Sequence, residues 1–250
     1  MLDALFLSPH LDDAVLSCGG RIAATVAAGG RVAVATFFTA DEPETPPSAL
    51  AADLRRWWRL PAGEVMRSRR AEDAAAVASL GAEPLHLDLP EAPYRLGSSG
   101  APLYATLASL YGEVAAADQA TAVAAATARI RELPQARLVA APLGVGGHVD
   151  HRVVRRAAEA SGRALAYYEE FPYTEWKWFA LRRALGGRAG WSAEVLALSP
   201  AQFESRVRAI LAYGSQVPAM FRGEARLRKQ LRRQLRRAGG ERLWRRAEEA

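Results

Sequence analysis

The 250-residue chain has four histidines, His10, His86, His148 and His151, and three of them fall in two short clusters. The first reads Ser8-Pro9-His10-Leu11-Asp12-Asp13 and the second Gly146-Gly147-His148-Val149-Asp150-His151. Histidine and carboxylate are the donors a catalytic zinc uses, three from the protein with a fourth position open to water. His10-x-x-Asp13 offers one nitrogen and one oxygen, and His148-x-x-His151 offers two more nitrogens at the same spacing. That is more donors than such an ion takes, so groups are left over for acid–base work. Asp12 is a spare carboxylate suited to taking a proton from water. His148, where it is not a ligand, is placed to stabilise an oxyanion or protonate a leaving amine, and Asp150 to fix the tautomer of an imidazole. Taken alone, the first cluster reads better as a turn or a helix start capped by Asp12 or Asp13. The two clusters together favour a metal.

Their meeting depends on the elements that carry them, because residues 10 and 148 are far apart in sequence. Ala4 to Ser8 is a short apolar run stopped by Pro9, which reads as a buried strand, and Asp13 to Ala28 reads as a helix closed by Gly29-Gly30. Further strands are expected at 31–39, 84–89, 137–142 and 163–168, with helices at 67–80, 115–133, 149–161 and 201–213. Residues 191–198 read as an edge strand. Residues 40–47 and 90–104 read as loops. Strands alternating with helices predict an α/β fold, a doubly wound, mostly parallel sheet with helices on both faces. Both clusters then follow strands, at the carboxyl edge where ligands bind in such sheets.

At these residues the chain resembles the PIG-L/LmbE-like zinc deacetylases, through Pro9-His10-Leu11-Asp12-Asp13 and His148-Val149-Asp150-His151. The resemblance runs on through Arg70-Ala71-Glu72 to Leu80-Gly81, and through Leu87-Asp88-Leu89-Pro90 to Tyr94-Arg95. Tyr168-Glu169-Glu170-Phe171-Pro172-Tyr173 and Tyr213-Gly214-Ser215-Gln216 extend it over roughly residues 4–216. It implies a Rossmann-like fold and a zinc-dependent N-deacetylase acting on N-acetylglucosamine-containing substrates. It also implies zinc on His10, Asp13 and His151, Asp12 as general base, His148 as acid and oxyanion stabiliser, and Asp150 orienting His148. The family's first motif usually reads His-Pro-Asp-Asp-Glu; here Leu11 replaces the proline and Ala14 the glutamate. Neither change removes a ligand or the base, but the second removes a supporting carboxylate. The same donor set accommodates Fe(II), Co(II) or Mn(II).

Arg70, Tyr94, Arg95, Tyr173, Trp176 and Lys177 are candidates for substrate contact, since aromatic rings stack on sugars and cations bind their hydroxyl and acidic groups. Trp57-Trp58 beside Arg55, Arg56 and Arg59 reads as a lid or a packed helix face. His86 reads as structural or surface, and Cys18 as a buried inert thiol. One cysteine excludes an intrachain disulfide, and no apolar run is long enough to span a membrane. With no basic segment leading into an apolar stretch at Met1, a cytoplasmic setting is expected.

The net charge of +6 has a definite location. Residues 222–250 hold ten arginines and one lysine against four glutamates, a net of +7, which leaves residues 1–221 at −1. Residues 1–221 are therefore expected to form the deacetylase-like domain and residues 222–250 an Arg-rich helix and tail. In that tail Leu227, Leu231 and Leu235 make a narrow apolar stripe. The expected partner is a small-molecule N-acetyl sugar or glycoconjugate, with no requirement for nucleic acid; a homo-oligomer is compatible with the sequence. The alternatives are an amidase of a natural-product or thiol-conjugate amide, and a non-catalytic metal-containing protein binding anionic partners through its tail.

Overall fold

The computed structural model describes residues 1–58, 63–176, 179–187 and 189–247. Seven strands form one sheet in the order β3-β2-β1-β4-β5-β7-β6. They are β1 (Leu2–Ser8), β2 (Val32–Thr36), β3 (Glu83–His86), β4 (Ala136–Pro142), β5 (Ala166–Tyr168), β6 (Trp191–Leu196) and β7 (Glu241–Arg246). Strands β1 to β5 pair in parallel, and β7 runs antiparallel to both β5 and β6. The helices preceding β4 are α1 (Asp13–Ala27), α2 (Ala49–Trp58), α3 (Val65–Ser79), α4 (Leu107–Leu110), α5 (Ala116–Ala120) and α6 (Ala122–Glu132). After β4 come α7 (Val149–Ala160), α8 (Tyr173–Trp176), α9 (Ala180–Ala184), α10 (Pro200–Leu211), α11 (Val217–Phe221) and α12 (Glu224–Ala238).

The sheet is apolar on both faces because helices cover both. In β1 the alternation sends Ala4 and Phe6 into a core shared with α1, α3, α10 and α12. Leu5 and Leu7 enter the opposite core, shared with α6, α7 and α9. The helix after β1 and the helix after β4 therefore lie on opposite faces, although β1 and β4 are neighbours paired from Leu2↔Ala136 to Phe6↔Ala140. Where successive crossovers diverge like this, a crevice opens beyond the carboxyl ends of the two strands. Both histidine clusters sit there.

The structure departs from the expectations in three places. The helix expected over 115–133 is broken at Thr121, whose Oγ1 donates to the Ala117 carbonyl at 2.9 Å. Residues 49–58 form α2, so Trp57-Trp58 close a helix, on which Trp57 is exposed and not packed. The basic C-terminal segment supplies the expected helix α12, and after it an unanticipated strand, β7, inserted between β5 and β6. Leu227 and Leu231 are fully buried against the sheet. The surrounding arginines meet acids of the body: Arg228 pairs with Glu204, Arg233 and Arg237 with Glu175, and Arg242 with Glu169, while Arg228 also holds Glu224 one turn before it on α12. Among the described residues no helix is long and apolar enough to cross a membrane.

Candidate metal centre and active site

The loop after β1 is shaped by Ser8, the last residue of that strand. Its Oγ donates to the His10 carbonyl at 2.7 Å and accepts from the Ala14 N–H at 3.0 Å, folding residues 8–14 into a closed turn. Asp13 opens α1, and its Oδ2 accepts from the His10 backbone N–H at 2.9 Å. Asp12 sits at the N-cap position but makes no side-chain capping bond. Its carboxylate lines the cavity instead, so the capping alternative does not hold for it. Leu11 and Ala14, the two departures from the family motif, are fully buried.

The loop after β4 runs Leu143 to His148. Gly144 and Gly147 have left-handed φ values of 80° and 78°, which glycine adopts without strain. At Gly146 the constraint is space, since a Cβ there would stand 2.5 Å from the Tyr173 ring. His148 caps α7, its Nδ1 accepting from the Asp150 N–H at 3.2 Å. That bond selects the tautomer in which Nε2 carries the proton.

From these two loops the side chains converge. Asp13 Oδ2 lies 3.2 Å from His10 Nδ1 and 3.2 Å from His151 Nε2. His10, His148 and His151 each offer a nitrogen, all within 4.8 Å of one another. His151 Nε2 is buried and makes no hydrogen bond. The other ring nitrogen of each flanking histidine meets a carboxylate: His10 Nε2 meets Asp150 Oδ2 at 2.9 Å, and His151 Nδ1 meets Glu170 Oε1 at 3.1 Å. Carboxylates in this position orient ligating imidazoles. The donor set and the bare nitrogen therefore fit a metal ion.

The electrostatics follow from burial and these pairs. Burial works against charge on His151, yet Asp13 and Glu170 overcome it and raise its pKa to about 9. His10 is likewise raised, against burial, by Asp13 and Asp150. His148 has no such support: burial and the neighbouring His10 push it down to about 3. Burial and the Asp13 charge push Asp12 up to about 8. Against burial, Arg95 and His10 hold Asp150 well below the usual carboxylate range.

A cavity of about 250 Å³ opens over this cluster. His10, Asp12, Asp13 and His148 form its floor, and Trp57, Arg69, Tyr111, Tyr173 and Met220 are among its walls. Of the expected substrate contacts, Tyr173 lines it. Lys177 lies outside the described residues, as does the side chain of Trp176. Arg95 does not reach the cavity; its buried guanidinium is spent on Asp118 at 2.7 Å, Asp150 at 2.6 Å and the Pro90 carbonyl at 3.0 Å. Arg70 turns away to the Thr39 carbonyl and Asp41. Tyr94 is buried. Their chain neighbours Arg69 and Pro93 line the cavity in their place. Asp150 is also placed differently from expectation: its carboxylate engages His10, and its backbone N–H holds His148.

Glu170, to which no role was assigned from sequence, is fully buried and also accepts from the Gly144 and Val145 N–H groups at 2.6 and 3.1 Å. It thereby fixes both the glycine loop and His151. Its position two residues past β5, the strand paired with β4, was the available signal. His86 is remote from the cluster and pairs with Asp73 at 2.8 Å. Cys18 is buried, and burial pushes its thiol well up.

The doubly wound sheet thus brings His10, Asp13 and His151 together at its switch point. The chain belongs to the PIG-L family, described as GlcNAc-PI de-N-acetylase, whose profile matches residues 5–161. It is 35% identical over 175 residues to a 2'-N-acetylparomamine deacetylase of Streptomyces fradiae, covering 68% of this chain and 57% of that protein. It thus spans little more than half the length of that relative. Among solved structures, the zinc-inhibited form of teicoplanin deacetylase Orf2 superposes with a TM-score of 0.82 at 26% identity, covering 96% of both chains. The A40926 pseudoaglycone deacetylase Dbv21 gives 0.76 at 26% identity, covering 100% of this chain and 98% of that one.

Proposed function

We propose that this chain is a zinc-dependent N-deacetylase that hydrolyses the acetamide of an N-acetylglucosaminyl small molecule or glycoconjugate. The observation that carries the reading is the convergence of Asp13 Oδ2 on His10 Nδ1 and His151 Nε2 at 3.2 Å each, beside an Asp12 carboxylate that caps nothing. His10, Asp13 and His151 would hold the ion, with Asp150 and Glu170 steadying the two imidazoles. When bound, the ion supplies Lewis acidity, lowering the pKa of water at its open position and polarising an amide carbonyl. Asp12 Oδ takes the proton of the attacking water. His148, its Nδ1 held by the Asp150 N–H, presents Nε2–H to the oxyanion, and the proton taken by Asp12 passes to the departing amine nitrogen. Trp57, Tyr111 and Tyr173 flank the sugar and exclude water. The lone, buried Cys18 supports a reducing, cytoplasmic setting.

A second reading keeps the chemistry and changes the acceptor to an acylated natural-product intermediate. It is favoured by relatives named for 2'-N-acetylparomamine and teicoplanin. The test is acetate release from zinc-loaded protein given N-acetylglucosamine, its glycosides and 2'-N-acetylparomamine, with and without chelator. Chelator should abolish release and added zinc restore it. Metal-loaded protein that releases acetate from none of them would sink the first reading and, with it, the aminoglycoside form of the second. Full metal content in His151→Ala would overturn the ligand set.

A further inference from the structure

We infer that Arg95 is a positioning residue that joins the wall of the cavity to the metal ligand His10, through Asp118 on one side and Asp150 on the other. The inference rests on the proposed ligand set of His10, Asp13 and His151. The Arg95 side chain is only 6% exposed, and a guanidinium is costly to bury unless its donors are used. They are used on two acids from different parts of the chain. Nε donates to Asp118 Oδ2 at 2.7 Å, while Nη1 stands 2.6 Å from Asp150 Oδ1 and donates to the Pro90 carbonyl at 3.0 Å. Both carboxylates are buried with it. The guanidinium also covers two rings, its Cζ 5.0 Å from the Phe38 centroid and 5.4 Å from the Tyr104 centroid.

On the Asp150 side the two oxygens have different partners. Arg95 takes Oδ1; the Ala92 N–H donates to Oδ2 at 3.1 Å, and Oδ2 meets His10 Nε2 at 2.9 Å. A carboxylate turns readily about its last torsion, so a contact on one oxygen fixes where the other points. With Oδ2 fixed, Nε2 is the engaged nitrogen of His10, and Nδ1 is the one turned to Asp13 Oδ2, 3.2 Å away. Arg95 thus selects, at one remove, the nitrogen that His10 offers a metal.

On the Asp118 side the same guanidinium steadies a small core. Asp118 lies on α5, just after the segment whose Leu107, Leu110 and Tyr111 line the cavity. Tyr104 accepts from the Ala115 N–H at 3.0 Å and packs with Leu50, Ala92, Leu110 and Val149, in a cluster separate from the cores on the two faces of the sheet. Val149 stands between His148 and Asp150 on α7, so this cluster attaches the wall to the turn that carries His151. Five buried apolar residues are a small core, and apolar contact is non-directional, so packing alone leaves the wall room to slide. Two ion pairs made through one planar, rigid fork remove that freedom.

The test compares Arg95→Gln with Asp118→Asn by competitive chelator titration of zinc, by the visible spectrum of the cobalt(II)-loaded protein, and by amide hydrogen exchange. Arg95→Gln should bind zinc about tenfold more weakly, the lower end of the usual effect of a ligand's supporting partners, because the Ala92 N–H still holds Oδ2. Its cobalt bands should shift. Asp118→Asn should keep wild-type zinc affinity and bands while exchange quickens across residues 104–120. Both variants should lose stability in denaturant melts, so stability does not separate positioning from support, whereas the cobalt spectrum does. Should Arg95→Gln fail to fold, Arg95→Lys takes its place with the same expected shift, since an ammonium keeps the buried charge but lacks the fork that spans both acids. Wild-type zinc affinity and bands in the arginine variant, or unaltered exchange in Asp118→Asn, would overturn the inference alone. Wild-type protein that binds no zinc would remove the ligand set and the inference with it. If zinc binding depends on Arg95 but no N-acetyl sugar releases acetate, the deacetylase reading fails and the inference stands.

Discussion

Glu170 and His151 are joined at 3.1 Å with both side chains fully buried, one following β5 and the other on α7. The same carboxylate takes the Gly144 and Val145 N–H groups, so it ties the glycine loop to the imidazole that points at Asp13. Loss of such a carboxylate partner typically lowers metal affinity 10–100-fold. Glu170→Gln should therefore weaken zinc binding by about that factor in a competitive chelator titration. Wild-type affinity in the variant would show that Glu170 supports the loop alone.

Asp12 has no capping role to lose, so Asp12→Asn isolates its chemistry. Acetate release should fall by about 10²- to 10⁴-fold, the usual range for removal of a general base, while bound zinc stays near one equivalent. An undiminished rate would assign the proton transfer elsewhere.

Gly146 leaves no room for a Cβ against the Tyr173 ring, and the aromatic wall stands at the cavity. Gly146→Ala should displace that ring, costing about 1–3 kcal/mol of stability by overpacking. It should also lower kcat/KM for an acetylated amino sugar. Denaturant melts and steady-state kinetics read the two effects separately, and a variant unchanged in both would show that the loop yields freely.

Tyr213 donates to Asp73 Oδ1 at 2.7 Å and Tyr168 to the Leu7 carbonyl at 2.9 Å, both buried. Burial, with Asp73 beside Tyr213 and Asp13 near Tyr168, raises both phenols well above their ordinary value. A phenol whose folded pKa is raised contributes stability that is present below the unfolded value of about 10 and is lost as pH climbs past it. Alkaline titration should therefore show the phenolate absorbance of these tyrosines rising together with loss of far-UV circular dichroism above about pH 10. Reversible ionisation with the fold intact would contradict their burial.

The sheet was readable where its strands announce themselves by pattern. Ala4 to Ser8 and Arg137 to Pro142 are apolar runs ended by Pro9 and Pro142, and the structure has β1 and β4 there. Strand β7 was not readable: Glu241-Arg242-Leu243-Trp244-Arg245-Arg246 carries four charges in six residues. Its arginines are tolerated because Glu169 and Glu159, from other parts of the chain, face them. The histidine–carboxylate cluster was legible because it is written in residue type and spacing. The contact residues were less so. Whether Arg95 or Arg69 faces the cavity depends on which guanidinium finds Asp118 and Asp150 in the interior, and that is a property of packing. Glu170 was visible only as one of two adjacent glutamates. The structure separates them, sending Glu169 to Arg242 and Trp244 on β7 and Glu170 to the histidine.

The placement of β7 inside the sheet has a consequence for how the molecule is assembled. Strand β6 emerges from the ribosome some fifty residues ahead of β7, yet β7 is its sole neighbour in the sheet. Until residues 241–246 are made, β6 has nowhere to dock and the edge of β5 is bare, open to pairing with other chains. A stop codon placed just before Glu241 would therefore remove two strands from the finished sheet instead of one.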